Sequence, residues 1–157
     1  MDLKANKTKN ITALPFPVYF WTVAFLTTAG LADSIYLAIS HYRVYTDVAY
    51  SSFCAISKAI NCDTVSQSSY SIFLNVPVPV WGIVGYTFFL LFLPFAWKTE
   101  DQHQRIWPLL FLLSLAFSIY SVILALISTF YVGSYCLMCV LSYGINFLLL
   151  YFSWLIR

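Results

Sequence analysis

Charge is what this chain has least of. Eight Lys and Arg and six Asp and Glu make up 9% of its 157 residues, against roughly 25% in an average globular domain. A soluble single domain needs polar surface on every side, so that class is excluded. A disordered chain needs the opposite composition and is excluded as well. A net charge of +2 gives no electrostatic footprint for nucleic acid, so no such partner is expected. Internal repeats, low-complexity tracts and linkers are also missing, so residues 1–157 are read as one domain. What is abundant is apolar: 61% of residues are hydrophobic and 20% aromatic. Such a chain belongs in lipid.

A membrane-crossing helix needs about 20 predominantly apolar residues. Four segments qualify, at about 16–39, 78–97, 106–130 and 135–156. The expected fold is therefore all-α, an integral membrane four-helix bundle. A long loop, about 40–77, joins helices 1 and 2. Pro77 and Pro79 open the second helix and Pro108 the third, where a missing N–H costs nothing. Pro94 is expected to end or kink the second. A polar loop from Lys98 to Arg105 and a tight turn from Tyr131 to Ser134 make the other connections. A Lys-rich start followed by an apolar run ending Gly30-Leu31-Ala32 also fits a cleaved leader. The apolar character continues through Ile39, which favours a retained helix.

Basic residues orient the bundle. Lys4, Lys7, Lys9, Lys98, Arg105 and Arg157 are six of the eight, and an even number of crossings puts all of them on one side. That side is read as cytoplasmic, with both termini. The loop between helices 1 and 2 then faces outward, with the turn at Gly133.

All four cysteines fall on the outer side. Cys54 and Cys62 lie in the long loop; Cys136-Leu137-Met138-Cys139 opens the last helix. Outside the cytoplasm disulfides form and persist. Residues at i and i+3 share a helix face, so the sulfurs of Cys136 and Cys139 can meet. A helix N-terminus favours a thiolate at Cys136, while Cys139 lies about 4.5 Å deeper. Such a pair can exchange with a protein disulfide on one side and a lipid-soluble oxidant on the other. The loop pair reads either as a structural staple or as a carrier of thiols to the helix pair. The helix pair taken alone also reads as two small buried hydrophobes. A four-cysteine zinc site fits poorly, since structural sites use two close pairs, and no metal is expected.

Two stretches carry a family resemblance: Asn61-Cys62-Asp63-Thr64-Val65-Ser66-Gln67-Ser68-Ser69-Tyr70 followed by Val76-Pro77-Val78-Pro79-Val80-Trp81-Gly82, and Tyr135-Cys136-Leu137-Met138-Cys139-Val140-Leu141-Ser142-Tyr143-Gly144-Ile145-Asn146. A loop cysteine pair, a serine six residues on, and a C-x-x-C opening the last helix resemble the vitamin K epoxide reductase family in its bacterial, disulfide-generating form. The resemblance implies that Cys54 exchanges with a thioredoxin-like, DsbA-type protein, that Cys62 passes electrons to Cys136, and that Cys139 faces a quinone (ubiquinone, menaquinone or vitamin K). It implies quinone-binding roles for Ser68, Trp81 and Tyr143. Many bacterial members carry a fused thioredoxin-like domain; this chain ends at Arg157, so a separate partner is expected. The spacing from Cys54 to Cys62 is closer to vertebrate members. Val78 stands where those members have a pocket asparagine, which favours quinone reduction over epoxide chemistry.

The expected function is thus a membrane thiol:quinone oxidoreductase of the bacterial inner membrane. A vitamin K epoxide or quinone reductase of the endoplasmic reticulum is the alternative enzyme. A disulfide-braced structural or adaptor membrane protein is the alternative of another class. Asp33, inside the first span, is a candidate for proton delivery or, as the reading favours, reaches the interface or bonds a neighbouring helix. His41 and His103 are isolated. Trp97, Trp107 and Trp154 are expected to anchor at the membrane interface.

Overall fold

The computed structural model describes residues 16–98 and 100–156. Lys4, Lys7, Lys9 and Arg157, on which the expected orientation rests, lie outside them. So do the side chains of 97–105, including Trp97, Lys98, His103 and Arg105.

Helix α1 (Phe16–Thr46) is longer than expected by seven residues. No proline or glycine stops it after Ile39, and Ser40 and His41 are buried against the loop that follows. The Thr22, Thr27, Thr28 and Thr46 hydroxyls each donate to the carbonyl four residues back. That satisfies a polar group without leaving the helix.

The long connection is not plain loop. It holds α2 (Cys62–Gln67), a 3₁₀ turn (Ser69–Ser71), and strands β1 (Ile72–Phe73) and β2 (Val76–Pro77), which pair antiparallel. Leu74 and Asn75 join the strands at φ 53° and 61°, the left-handed pair a two-residue hairpin turn requires.

Helix α3 (Val78–Phe92) starts with Pro79 in its first turn, as expected, and ends early. Pro94 supplies no N–H for another turn, and a short α4 (Phe95–Lys98) resumes beyond it. Fifteen residues rise roughly 22 Å, short of the ~30 Å hydrocarbon layer. Among the described residues, three helices are long and apolar enough to cross by themselves: Phe16–Thr46, Ile106–Val132 and Leu137–Ile156.

The polar stretch read as a loop is helical from Glu100, where α5 (Glu100–Ile127) begins. Glu and Gln are good helix formers, and acids suit the positive end of the dipole. Pro108, expected in a first turn, therefore lies inside the helix. A π turn (Ser128–Val132) follows and closes with Gly133, whose N–H donates to the Ser128 carbonyl at 2.9 Å. Gly133 sits at φ +68°, a conformation a β-carbon would strain. Helix α6 (Leu137–Ile156) then runs antiparallel to α5.

Two clusters divide the interior. One holds Val23, Tyr86, Phe89, Leu93, Trp107, Ile145 and Leu149. Trp107 is 1% exposed and meets Phe16 edge-on at 6.2 Å. It is a core residue and not the expected interfacial anchor, because the helix begins early and its face turns inward there. Trp154 is exposed. The second cluster gathers Leu37, Cys54, Cys62 and Cys136, with Tyr36, Val65 and Cys139 against them.

Candidate redox site

Two chain segments 74 residues apart are joined just before their cysteines. Ile60 and Tyr135 form an isolated parallel bridge. The Asn61 N–H donates to the Tyr135 carbonyl at 2.9 Å, and the Tyr135 N–H to Ala59 at 2.8 Å. The Ser134 hydroxyl reaches the Lys58 carbonyl at 2.8 Å. The next residues, Cys62 and Cys136, then face each other with sulfurs 2.9 Å apart.

Each of these cysteines starts a helix. The Asn61 side chain caps α2, accepting from the N–H groups of Asp63 (3.0 Å) and Thr64 (3.1 Å). Cys62 is thereby held in the first turn. Cys136 occupies the cap position of α6. Its carbonyl accepts from Val140 at 3.0 Å, and its sulfur accepts from the Cys139 N–H at 3.3 Å. The Cys139 thiol above all, and then the N–H groups of Cys139 and Met138, hold the Cys136 thiol below its ordinary pKa, against the opposing effect of burial.

Cys54 and Cys62 are bonded to each other, with Cα atoms 5.7 Å apart, while Cys136 and Cys139 are thiols. Cys54 has no exposure at all. Tyr36 packs against the cluster that holds it, and the Tyr36 ring lies 5.3 Å from that of Phe53. The disulfide itself is thus buried, although residues 56–60 of the loop it closes are exposed. The sulfurs of Cys54, Cys62 and Cys136 lie within 4.8 Å of one another, but the bonded pair leaves a single free thiol among them.

Cys136 and Cys139 open onto a cavity of about 180 Å³. Ser68, Trp81 and Tyr143 lie on its wall, as does Val78. Ser68 ends α2 and donates its hydroxyl to the Val65 carbonyl at 2.7 Å. The Trp81 indole N–H donates to the Phe73 carbonyl at 3.2 Å, tying the hairpin to α3. Tyr143 lies one turn beyond Cys139 on the same face of α6.

Several wall residues were not singled out from the sequence. His41, set aside as isolated, lines the cavity. At its inner end the Tyr86 hydroxyl donates to Asn146 Oδ1 at 2.6 Å, and Asn146 Nδ2 donates to Ser121 at 2.8 Å. The signal was available. Cys139, Tyr143 and Asn146 follow helical spacing, and buried Ser114, Ser118 and Ser121 form a stripe on α5. Asp33 is buried and accepts a hydrogen bond from the Ser142 hydroxyl. It ties α1 to α6, one of the two structural roles the sequence left open for it.

Among known proteins, the family model described as "Vitamin K epoxide reductase family" matches residues 21–154. No curated protein matches the chain.

Proposed function

The chain belongs to the vitamin K epoxide reductase family, and on that premise we propose that it generates disulfides, moving electrons from a separate thioredoxin-like protein to a membrane quinone. Its family is one of oxidoreductases, and its three long apolar helices mark it as an integral membrane protein.

The observation that carries this reading is the 2.9 Å approach of Cys62 to Cys136, with Cys139 beyond it on the cavity wall. In the proposed cycle a partner thiolate attacks Cys54, and Cys62 leaves as a thiolate. Cys62 attacks Cys136 of a Cys136–Cys139 disulfide, and Cys139 leaves. The partner's second thiol attacks its own sulfur in the mixed disulfide and releases Cys54 as a thiolate; Cys54 then attacks Cys62, releasing Cys136. The loop disulfide is re-formed, the partner keeps the disulfide it gained, and two electrons rest on Cys136 and Cys139. This is the bonding pattern described above. Oxidation of those two thiols returns the helix disulfide and delivers two electrons and two protons to the quinone, which supplies the oxidising power.

The cavity suits a quinone head group. Trp81, Phe117 and Leu124 offer apolar wall, and the Ser68 and Tyr143 hydroxyls lie on the same surface. Val78 brings no donor for an epoxide oxygen, which favours quinone reduction. The basic-residue bias supports termini in the cytoplasm and cysteines on the outer face, and the bacterial form of the resemblance supports an inner membrane.

Trapping tests the relay. Cys54→Ala, Cys139→Ala protein is expected to accumulate a Cys62–Cys136 disulfide under mild oxidant, read by peptide mapping without reductant. Its absence would mean that the cysteine pairs only brace the bundle.

A further inference from the structure

The turn carrying Cys54 has a second, non-covalent tie to the helix carrying Cys62. The Ala55 N–H donates to the Ser52 carbonyl at 3.1 Å, closing a turn with Cys54 at its third position. Ser52 is buried, and its own N–H donates to Asp63 Oδ2 at 3.1 Å. Asp63 directly follows Cys62 in the first turn of α2, where the Asn61 side chain holds its N–H. Asp63 Oδ1 and the Ser52 hydroxyl are both buried, and neither has a hydrogen-bond partner among the described residues. A half-buried carboxylate is thus committed to this one turn, beside the disulfide it flanks.

We infer that Asp63 is a positioning residue for the Cys54–Cys62 couple, its carboxylate keeping the Cys54 turn against α2 when the disulfide is open. The bond from the Ser52 N–H to Asp63 Oδ2, at 3.1 Å, is of ordinary length. With the covalent link gone, it keeps the two thiols at high effective concentration. Reclosure is then favoured: the two thiols lose two electrons and two protons, and a disulfide oxidant such as oxidised glutathione takes them to become two thiols. The inference rests on the proposed function only in giving this couple a working cycle.

The test is a glutathione redox titration of the protein in lipid nanodiscs, read by alkylation and mass mapping of both cysteine pairs. In Asp63→Ala the equilibrium constant for the Cys54–Cys62 disulfide is expected to fall about tenfold, or ~30 mV for a two-electron couple. The Cys136–Cys139 couple stays in place. Asp63→Asn keeps an acceptor oxygen for the Ser52 N–H and holds the constant within threefold. If Asp63→Ala does not accumulate, Asp63→Ser reads the same loss, since its side chain falls short of Ser52. A fall of less than fivefold overturns the inference. So does an equal shift in both couples, or an Asp63→Asn fall as deep as that of Asp63→Ala. Neither quinone nor partner enters this measurement, so its failure and the failure of the proposed electron path are separable.

Discussion

Replacing Asn61 with alanine removes a cap without touching a cysteine. Its side chain accepts from two N–H groups, at 3.0 and 3.1 Å, while its backbone N–H stays bonded to Tyr135. Helix α2 has six residues, far below the length at which a helix persists unaided. The cap therefore carries a large share of the order around Cys62. Losing an N-cap of this type costs about 1 kcal/mol, which is a factor of about 5 in the equilibrium between ordered and disordered segment (RT ≈ 0.59 kcal/mol), and the same factor in the ordered fraction once no disulfide holds a helix this short together. The effect is clearest in Cys54→Ala protein, where no disulfide holds the turn. There the rate of Cys62–Cys136 bond formation, followed by acid quench and alkylation, is expected to drop about fivefold on Asn61→Ala. Asn61→Asp caps equally well and keeps the rate within about twofold. An Asn61→Ala rate equal to that of its parent would refute the reasoning. It would mean that the bridge to Tyr135 alone positions the sulfur.

Other outcomes follow from the same geometry. Cys136 is held below its ordinary pKa chiefly by the Cys139 thiol, so in reduced Cys54→Ala, Cys62→Ala protein its alkylation should reach half-rate at a lower pH than a free cysteine, about 8.5. The depressed value means that the thiolate adds stability above the unfolded pKa, lost as pH falls through the folded one. Adding Cys139→Ala should move the midpoint up, and an unmoved midpoint would contradict the assignment. Gly30→Ala should destabilise the bundle. A β-carbon there would lie 2.6 Å from the Tyr86 ring, which its bond to Asn146 keeps from swinging away. Overpacking of ~1–3 kcal/mol then exceeds the ~1 kcal/mol that alanine gains over glycine in a helix. A thermal midpoint at or above the parent's in nanodiscs would show that Tyr86 yields.

What the sequence made legible, and what it hid, follows the range of the forces involved. Cys136 with Cys139 reads locally as a helix opening, and it stands so in the structure; the capped start at Asn61-Cys62-Asp63-Thr64 lies in a stretch read only as loop. Hydropathy runs without a break from Val78 to Trp97, so it cannot see the turn at Leu93-Pro94 that leaves α3 at fifteen residues. The inward turn of Trp107 depends on Phe16, far away in the chain, and an average over neighbours has no access to that pairing. The same holds for Cys54. Nothing near it in sequence predicts zero exposure, because the cover comes from Tyr36 on α1 and from the docking of the loop. Asn146 was legible in principle, since it continues the face of Cys139 and Tyr143. Its partners on α3 and α5 give it a place in the cavity.

The two loop cysteines are secured by different bonds, and that separation bears on how a buried disulfide can react at all. A soluble thiol reaches Cys54 only after its cover moves, since the residue is fully buried. The Cys62 side of the loop is fastened to the α6 start through Ala59, Asn61 and Lys58. The Cys54 side is fastened through Ser52 to Asp63, and further back through the Tyr50 hydroxyl to Ser40 at 3.2 Å. Breaking the second set leaves the first intact. The disulfide and the Ile56 and Ser57 N–H bonds to the Ile60 carbonyl still join the two sides, so the Ser52 and Tyr50 ties bear on the cover of Cys54 and not on the 2.9 Å approach of Cys62 to Cys136. Were both cysteines held by the same bonds, access for an incoming thiol and contact with the next sulfur would exclude each other.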